Sequence, residues 1–179
     1  GEIVTEKGEA TVKLDAQGDF IFDPAMDLVK LAVIERHHGL GTVGLAILRN
    51  FGIKQGAVAV SVAHDSHNII VTGTNNEDMD KAVQELLKIE GGIALVLGGK
   101  VIASLPLPIA GLMSEKRADQ VQKELGNIHH LAHSVLGVGH QVDPIMTLSF
   151  MALPVIPHIK LTDEGLFDVD KFAFTKLEE

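Results

Sequence analysis

Residues 60–75 read Val60-Ser61-Val62-Ala63-His64-Asp65-Ser66-His67-Asn68-Ile69-Ile70-Val71-Thr72-Gly73-Thr74-Asn75. Five consecutive polar side chains sit here between two β-branched apolar runs. The flanks have the composition of buried strands, and the centre has the chemistry of a site. Working outward, Ala57–Ala63 and Ile69–Thr74 read as two strands. Asn75 or Asn76 then caps a helix to about Glu90, with Met79, Val83, Leu86 and Leu87 on one face and Gly91-Gly92 as its stop. Left without partners, His64, Asp65, Ser66, His67 and Asn68 would cost roughly 1–3 kcal/mol per buried unsatisfied group. The cluster must pair internally, line a wet cavity, or face another domain or ligand. A hydrogen-bonded turn in which Asp65 or Asn68 bonds its own backbone is the plainer alternative.

The remainder of the chain has the same mixed character. Thr11–Leu14 alternates like a short strand, and Gln17-Gly18 and Asp23-Pro24 mark turns. Leu28–Arg36 reads as a central strand, followed by a loop at His37-His38-Gly39-Leu40-Gly41. Thr42 is expected to cap a short helix to about Asn50, with Val43, Ala46, Ile47 and Phe51 as its stripe. Ile93–Leu97 and Val101–Leu105 flank Gly98-Gly99, a hairpin signal, and Pro106 and Pro108 force an extended passage. Ser114 is expected to cap the longest helix, through about Leu136, with Ala118, Val121, Leu125, Ile128 and Val135 toward the core. Asp143-Pro144 starts a last helix that Pro154 terminates, and Lys171–Leu177 is strand-like. This order gives an α/β fold: a mixed β-sheet with hairpins packed against several α-helices, in a single domain. Residues 1–26 form a partly flexible lead-in, and residues 27–179 form the domain itself. The chain begins Gly1-Glu2-Ile3 without an initiator Met and reads as a piece of something longer.

Composition narrows the chemistry. The 179 residues contain no cysteine, which excludes disulfide frameworks, thiolate zinc sites and cysteine nucleophiles. The formal charge is −9, with 15 Lys and Arg against 24 Asp and Glu, so no basic surface offers itself to nucleic acid. Aromatic content is 4%, all of it Phe, which leaves no stacking platform for bases. The apolar runs are much shorter than the ~20 residues a membrane span needs. A cytoplasmic domain is expected, with no membrane partner.

Four blocks carry a resemblance: SVAHDSHNIIVTGTN (61–75), LPLPIAGLMS (105–114), MTLSFMALPVIPHIKLT (146–162) and GLFDVDKFAFTKLE (165–178). In this order they resemble the C-terminal domain of bacterial adenine deaminases, of the metal-dependent amidohydrolase class, from about Asp27 onward. The resemblance implies a parent enzyme that converts adenine and water to hypoxanthine and ammonia, in purine salvage. It implies a binuclear manganese or iron centre there, held by an N-terminal metal-binding barrel that would be this domain's partner. A (β/α)₈ barrel needs roughly 250 residues, which this chain lacks. None of its nine histidines forms a His-x-His pair, so no metal ligands and no cofactor are expected in the fragment itself.

His64, Asp65, Ser66, His67 and Asn68 are therefore candidates to face substrate at the barrel mouth, where alternating donors and acceptors suit a purine. No catalytic residue is assigned. The expected role is to cap or complete the active site, with the fragment inactive alone and homo-oligomerisation left open. The alternative is a purely structural or oligomerisation module whose polar loop only joins two strands. Two other signals carry less: His129, His130 and His133 read as a solvated helix face. Gly39–Gly44 resembles G-x-G-x-x-G but lacks a well-placed acidic residue.

Overall fold

A computed structural model describes residues 3–177. The elements are β1 (Leu28–Ile34), β2 (Val43–Arg49), β3 (Ala57–Val60), β4 (Ile69–Gly73), α1 (Asn76–Lys88), β5 (Gly92–Leu97) and β6 (Lys100–Pro106). They continue with α2 (Ala118–Ser134), α3 (Pro144–Ser149), β7 (Ile159–Thr162), β8 (Gly165–Asp168) and β9 (Ala173–Phe174). Six strands make one sheet in the order β2-β1-β4-β3-β5-β6, and β7-β8-β9 make a second. Every ladder in both sheets is antiparallel. The α/β class and the absence of a (β/α)₈ barrel are thus observed: helices and strands are mixed along the chain, on a sheet of hairpins.

The alternation of the central strands assigns each face of the large sheet to its own core. On β3, Ala57 and Ala59 point to α1, where Ala32, Val71, Ala94 and Val96 meet Met79, Ala82 and Leu86. Val58 and Val60 point the other way, joining Val29, Val33, Ile70, Leu95, Ile128, Leu136, Leu148 and Leu161. Small residues under α1 let the helix sit close to the strands. Branched and larger ones on the far face fill the space beneath α2, α3 and the small sheet. Asn75 caps α1 by accepting from the Asp78 backbone N–H at 2.8 Å, as its type predicts. Leu87, read with the inward face, is exposed.

Three local expectations change. The segment expected to be a helix over Thr42–Asn50 is β2, paired residue for residue with β1 from Leu28↔Arg49 to Ile34↔Val43. Its apolar residues satisfy both periods, and pairing with β1 decides between them. Gly44 faces inward where an added Cβ would lie 1.8 Å from the Thr162 carbonyl oxygen, so the backbones approach without a side chain between them. The longest helix starts later than Ser114. Ser114 Oγ instead accepts from the Lys116 N–H at 3.1 Å, and Gln120 Oε1 reaches back to the Arg117 N–H at 3.2 Å. The helix opened by Asp143-Pro144 ends at Ser149, five residues before Pro154. Beyond it β7 and β8 form a hairpin, and β9 occupies only two residues of the strand-like tail.

The lead-in is tied down at several points. Thr5 bonds Pro157 and His158 through its backbone, and the buried Lys160 ammonium donates to the Ile3 carbonyl at 2.7 Å and to Thr5 Oγ1 at 2.8 Å. Further along, Arg49 Nη2 reaches the Glu9 carbonyl at 3.4 Å. Gly1 and Glu2 lie outside the described residues.

Candidate functional site

The polar cluster closes the end of the β3–β4 hairpin, and neighbouring elements fix it from four sides. The His64 N–H donates to the Ser149 carbonyl at the end of α3 (2.8 Å), and the His64 ring lies 4.7 Å from that of Phe150. The His67 N–H turns back onto the Ala63 carbonyl. His67 itself has φ +53°, a left-handed conformation that a non-glycine residue holds only where its surroundings enforce it. The enforcing group is Arg36, at the end of the loop-ward run of β1. Its Nε donates to the His67 carbonyl at 2.6 Å and its Nη2 to the Ala110 carbonyl at 2.7 Å. His37 Nε2 donates to the Ser66 carbonyl at 2.7 Å, which places the proton on that nitrogen. Ser61, fully buried, donates to the Gly111 carbonyl (2.6 Å) and accepts from the Gly92 N–H (2.7 Å). This binds the proline-rich loop to the same hairpin.

The fourth tie is a carboxylate. Asp163, in the β7–β8 turn, accepts from Asn68 Nδ2 at 3.0 Å and from Thr42 Oγ1 at 2.7 Å. Asn68 is buried, His64 and His67 are half-buried, and Asp65 and Ser66 are exposed. Two polar atoms in this otherwise satisfied loop, His67 Nδ1 and Asn68 Oδ1, are buried with no hydrogen-bond partner among the described residues. Such groups are uncommon, and each calls for a reason.

Two cavities flank the loop. One, about 320 Å³, is lined by Asp65, Ser66, Leu153, Pro154, Val155 and Asp163. The other, about 340 Å³, is lined by Arg36, Leu86, Glu90, Pro108 and Ala110 among others. Burial lowers the Arg36 guanidinium's pKa from its ordinary value. Before it, Glu35 accepts backbone N–H bonds from His37, His38 and Leu40, and these hold its carboxyl at about pKa 2, with the Leu40 bond contributing most. Around this end of the molecule Leu40, Val43, Ile109, Met113 and Val155 are exposed.

All five candidate residues are therefore adjacent in space as in sequence, but they divide into the exposed Asp65 and Ser66, the half-buried His64, and His67 and Asn68, each with one buried atom that lacks a partner among the described residues. His37 joins them, whereas the sequence placed it only in a loop. Glu35, Arg36 and Asp163 were not singled out, and Thr42 was read only as a helix cap. Arg36, a charge ending an apolar strand, was the readable signal; Asp163 lies 95 positions from Asn68 and had none. His133 stacks on His140 with ring centroids 5.5 Å apart, His129 lies tilted 6.5 Å from His133, and His133 Nδ1 bonds the Val138 carbonyl, so this group serves the turn after α2. Gly39–Gly44 joins two antiparallel strands and opens no helix, which leaves the dinucleotide reading without its phosphate-binding terminus. Among the described residues no group of three or more His, Cys, Asp or Glu could hold a metal ion. No described helix is long and apolar enough to cross a membrane.

The family profile described as "Adenine deaminase C-terminal domain" matches residues 2–173, the lead-in included. "Adenine deaminase 2" of Desulfotalea psychrophila is 52% identical over 178 residues, 99% of this chain and 31% of that protein. "Adenine deaminase" of Nitratidesulfovibrio vulgaris is 51% identical over 173 residues, 97% of this chain and 30% of that protein. "Adenine deaminase" of Ligilactobacillus salivarius is 47% identical over 178 residues, again 99% and 31%. The chain spans about a third of the length of these relatives.

Proposed function

The chain belongs to the adenine deaminase C-terminal domain family, and from that premise we propose that it completes the active site of an enzyme hydrolysing adenine to hypoxanthine and ammonia. In that reaction the oxygen of water bonds to C6 of the purine and the C6–N bond breaks, releasing ammonia. Water is too weak a nucleophile at neutral pH, and a metal ion, where bound, would supply the activation by lowering the pKa of water to about 7. The described residues of this chain do not fit that metal. In this reading the metal, manganese or iron and binuclear, belongs to the preceding part of the polypeptide, the enzyme is cytoplasmic, and this domain supplies what borders the substrate.

The observation that carries the proposal is the pair of orphaned buried atoms, His67 Nδ1 and Asn68 Oδ1. The loop is held by Arg36, His37, Ser149 and Asp163, so the missing partners are not supplied by a simple swing of the loop. Preorganised groups with unmet valences are how a composite site waits for its second half. Adenine and the surrounding barrel both bring hydrogen-bonding groups that can pair with Asn68 Oδ1 and His67 Nδ1. The exposed Asp65 and Ser66 border a cavity of about 320 Å³, at the lower end of the range for small-molecule sites. The exposed apolar side chains around them form the rim against which the other part closes.

Adenine turnover with manganese present tests this directly, measured for this chain, for the preceding portion, and for their mixture. Activity confined to the mixture, or to the covalently continuous enzyme, is the expected result; full activity of the preceding portion alone would make this domain a scaffold. In the full-length enzyme Asn68→Ala is expected to lower kcat/KM for adenine about 10- to 100-fold, as loss of a buried site hydrogen bond does. A lower melting temperature with unchanged kinetic constants would instead assign the loop a structural role.

A further inference from the structure

The two edges of the large sheet are built differently. An edge strand presents a row of unpaired N–H and C=O groups, and proteins guard it with charge, proline, a bulge or a covering helix. The β6 edge has all four: Lys100 begins it, Pro106 ends it, its register with β5 shifts at Leu95/Val96, and α2 packs on it. The β2 edge has no proline, bulge or covering helix in its span. Val43-Gly44-Leu45-Ala46-Ile47-Leu48-Arg49 carries one charge, at its last position, and runs in unbroken register with β1. Among the described residues, no backbone group of Val43–Arg49 bonds to anything but β1. On the face shared with α1, Val43 is 49% exposed and Leu45 59% exposed, because α1 covers β3, β4 and β5 and stops short of β2.

The path of the lead-in says what comes near this edge. Ile3 and Thr5 are clamped by Lys160 on β7, and two residues along β7, about 7 Å away, the Thr162 carbonyl packs against Gly44 of β2. Glu9 then passes Arg49 at the far end of β2. In the relatives, about 70% of the polypeptide lies outside the region matched by this chain, and the family is a C-terminal domain, so that polypeptide arrives beside β2. A strand of seven residues offers less area than the ~1,000 Å² an untethered partner needs. A tethered segment is free of that requirement, because its effective concentration is set by the tether.

We propose that β2 is a strand acceptor: the polypeptide preceding this domain lays an extended apolar segment along β2, adding a seventh strand to the sheet. This rests on reading the chain as the C-terminal part of a longer deaminase, and it adds a second contact, separate from the His64–Asn68 loop. The added strand satisfies the free edge and covers Val43 and Leu45.

Hydrogen–deuterium exchange on this chain and on the full-length enzyme, read separately over Val43–Arg49 and Ser61–Asn68, tests the proposal. The outward amides of β2 are expected to exchange at least 100-fold more slowly in the full-length enzyme. Leu45→Lys, at a site exposed in this chain, should leave the melting temperature of the chain alone unchanged and restore fast exchange of β2 in the full-length enzyme. Equal exchange of β2 in both proteins overturns the proposal. Protected β2 amides in the chain alone, with a dimer mass by light scattering, also overturn it by making the occupant a second copy. Protection of Ser61–Asn68 without protection of β2 would sink the strand acceptor and leave the active-site reading intact. Protected β2 with unchanged kinetics of Asn68→Ala would do the reverse.

Discussion

At the scale of single residues, the loop depends on one carboxylate that is remote in sequence. Asp163 is the partner described for the buried Asn68 amide, so Asp163→Ala leaves that amide with neither end bonded. A loss of about 1–3 kcal/mol is expected by urea denaturation, with Asp163→Asn losing less because it still accepts. Glu35 gives a pH signature. Its carboxyl sits at about 2 in the folded chain against an ordinary 4.5, so between these values the unfolded chain takes up the proton first. The stability it contributes is therefore present above pH 4.5 and is lost as pH falls toward 2. Glu35→Gln should flatten that part of the stability profile. His64, Asp65, Ser66, His67 and Asn68 were legible because five polar residues between β-branched runs conflict with burial. Asp163 was not, because a hydrogen bond between positions 95 apart leaves no local pattern.

Among the elements, β2 shows where periodicity fails. Val43, Ala46 and Ile47 fit a helical stripe, while Gly44, Ala46 and Leu48 fit the buried face of a strand. With both faces apolar, the pattern cannot choose, and the β1 ladder does. The intolerance of Gly44 is the measurable result. Gly44→Ala places a methyl group into the Thr162 carbonyl, and the required backbone shift should cost about 1–3 kcal/mol, read as a lower melting temperature. Gly8→Ala, with open space around its Cβ, is the matched control and should change little. The β7–β8 hairpin was readable in principle, since Asp163-Glu164 separates two short alternating runs. Its two strands of four residues each are too short for the alternation to stand out after the prolines that precede them. The elements with caps and length, α1 above all, were read to within a few residues of their ends.

The whole molecule is organised by a sheet that serves two cores at once. Leu86 belongs to the α1 side and Leu148 to the other, and both are fully buried. Leu86→Ala and Leu148→Ala are each expected to cost about 2–5 kcal/mol and to move one shared unfolding transition, seen alike by circular dichroism and fluorescence of an attached probe. Two separated transitions would mean that the layers unfold independently. The class of the fold was legible from the order of helices and hairpins; the strand order was not, because nothing in the chain marks β1 as the neighbour of β4. That order has a kinetic meaning. Pairs β1–β2, β3–β4 and β5–β6 are each contiguous in sequence, and only the β1–β4 and β3–β5 ladders join distant positions. Each hairpin can zip on its own within microseconds, so the slow event is the docking of three ready-made ribbons, and folding time is set by two loop closures rather than five.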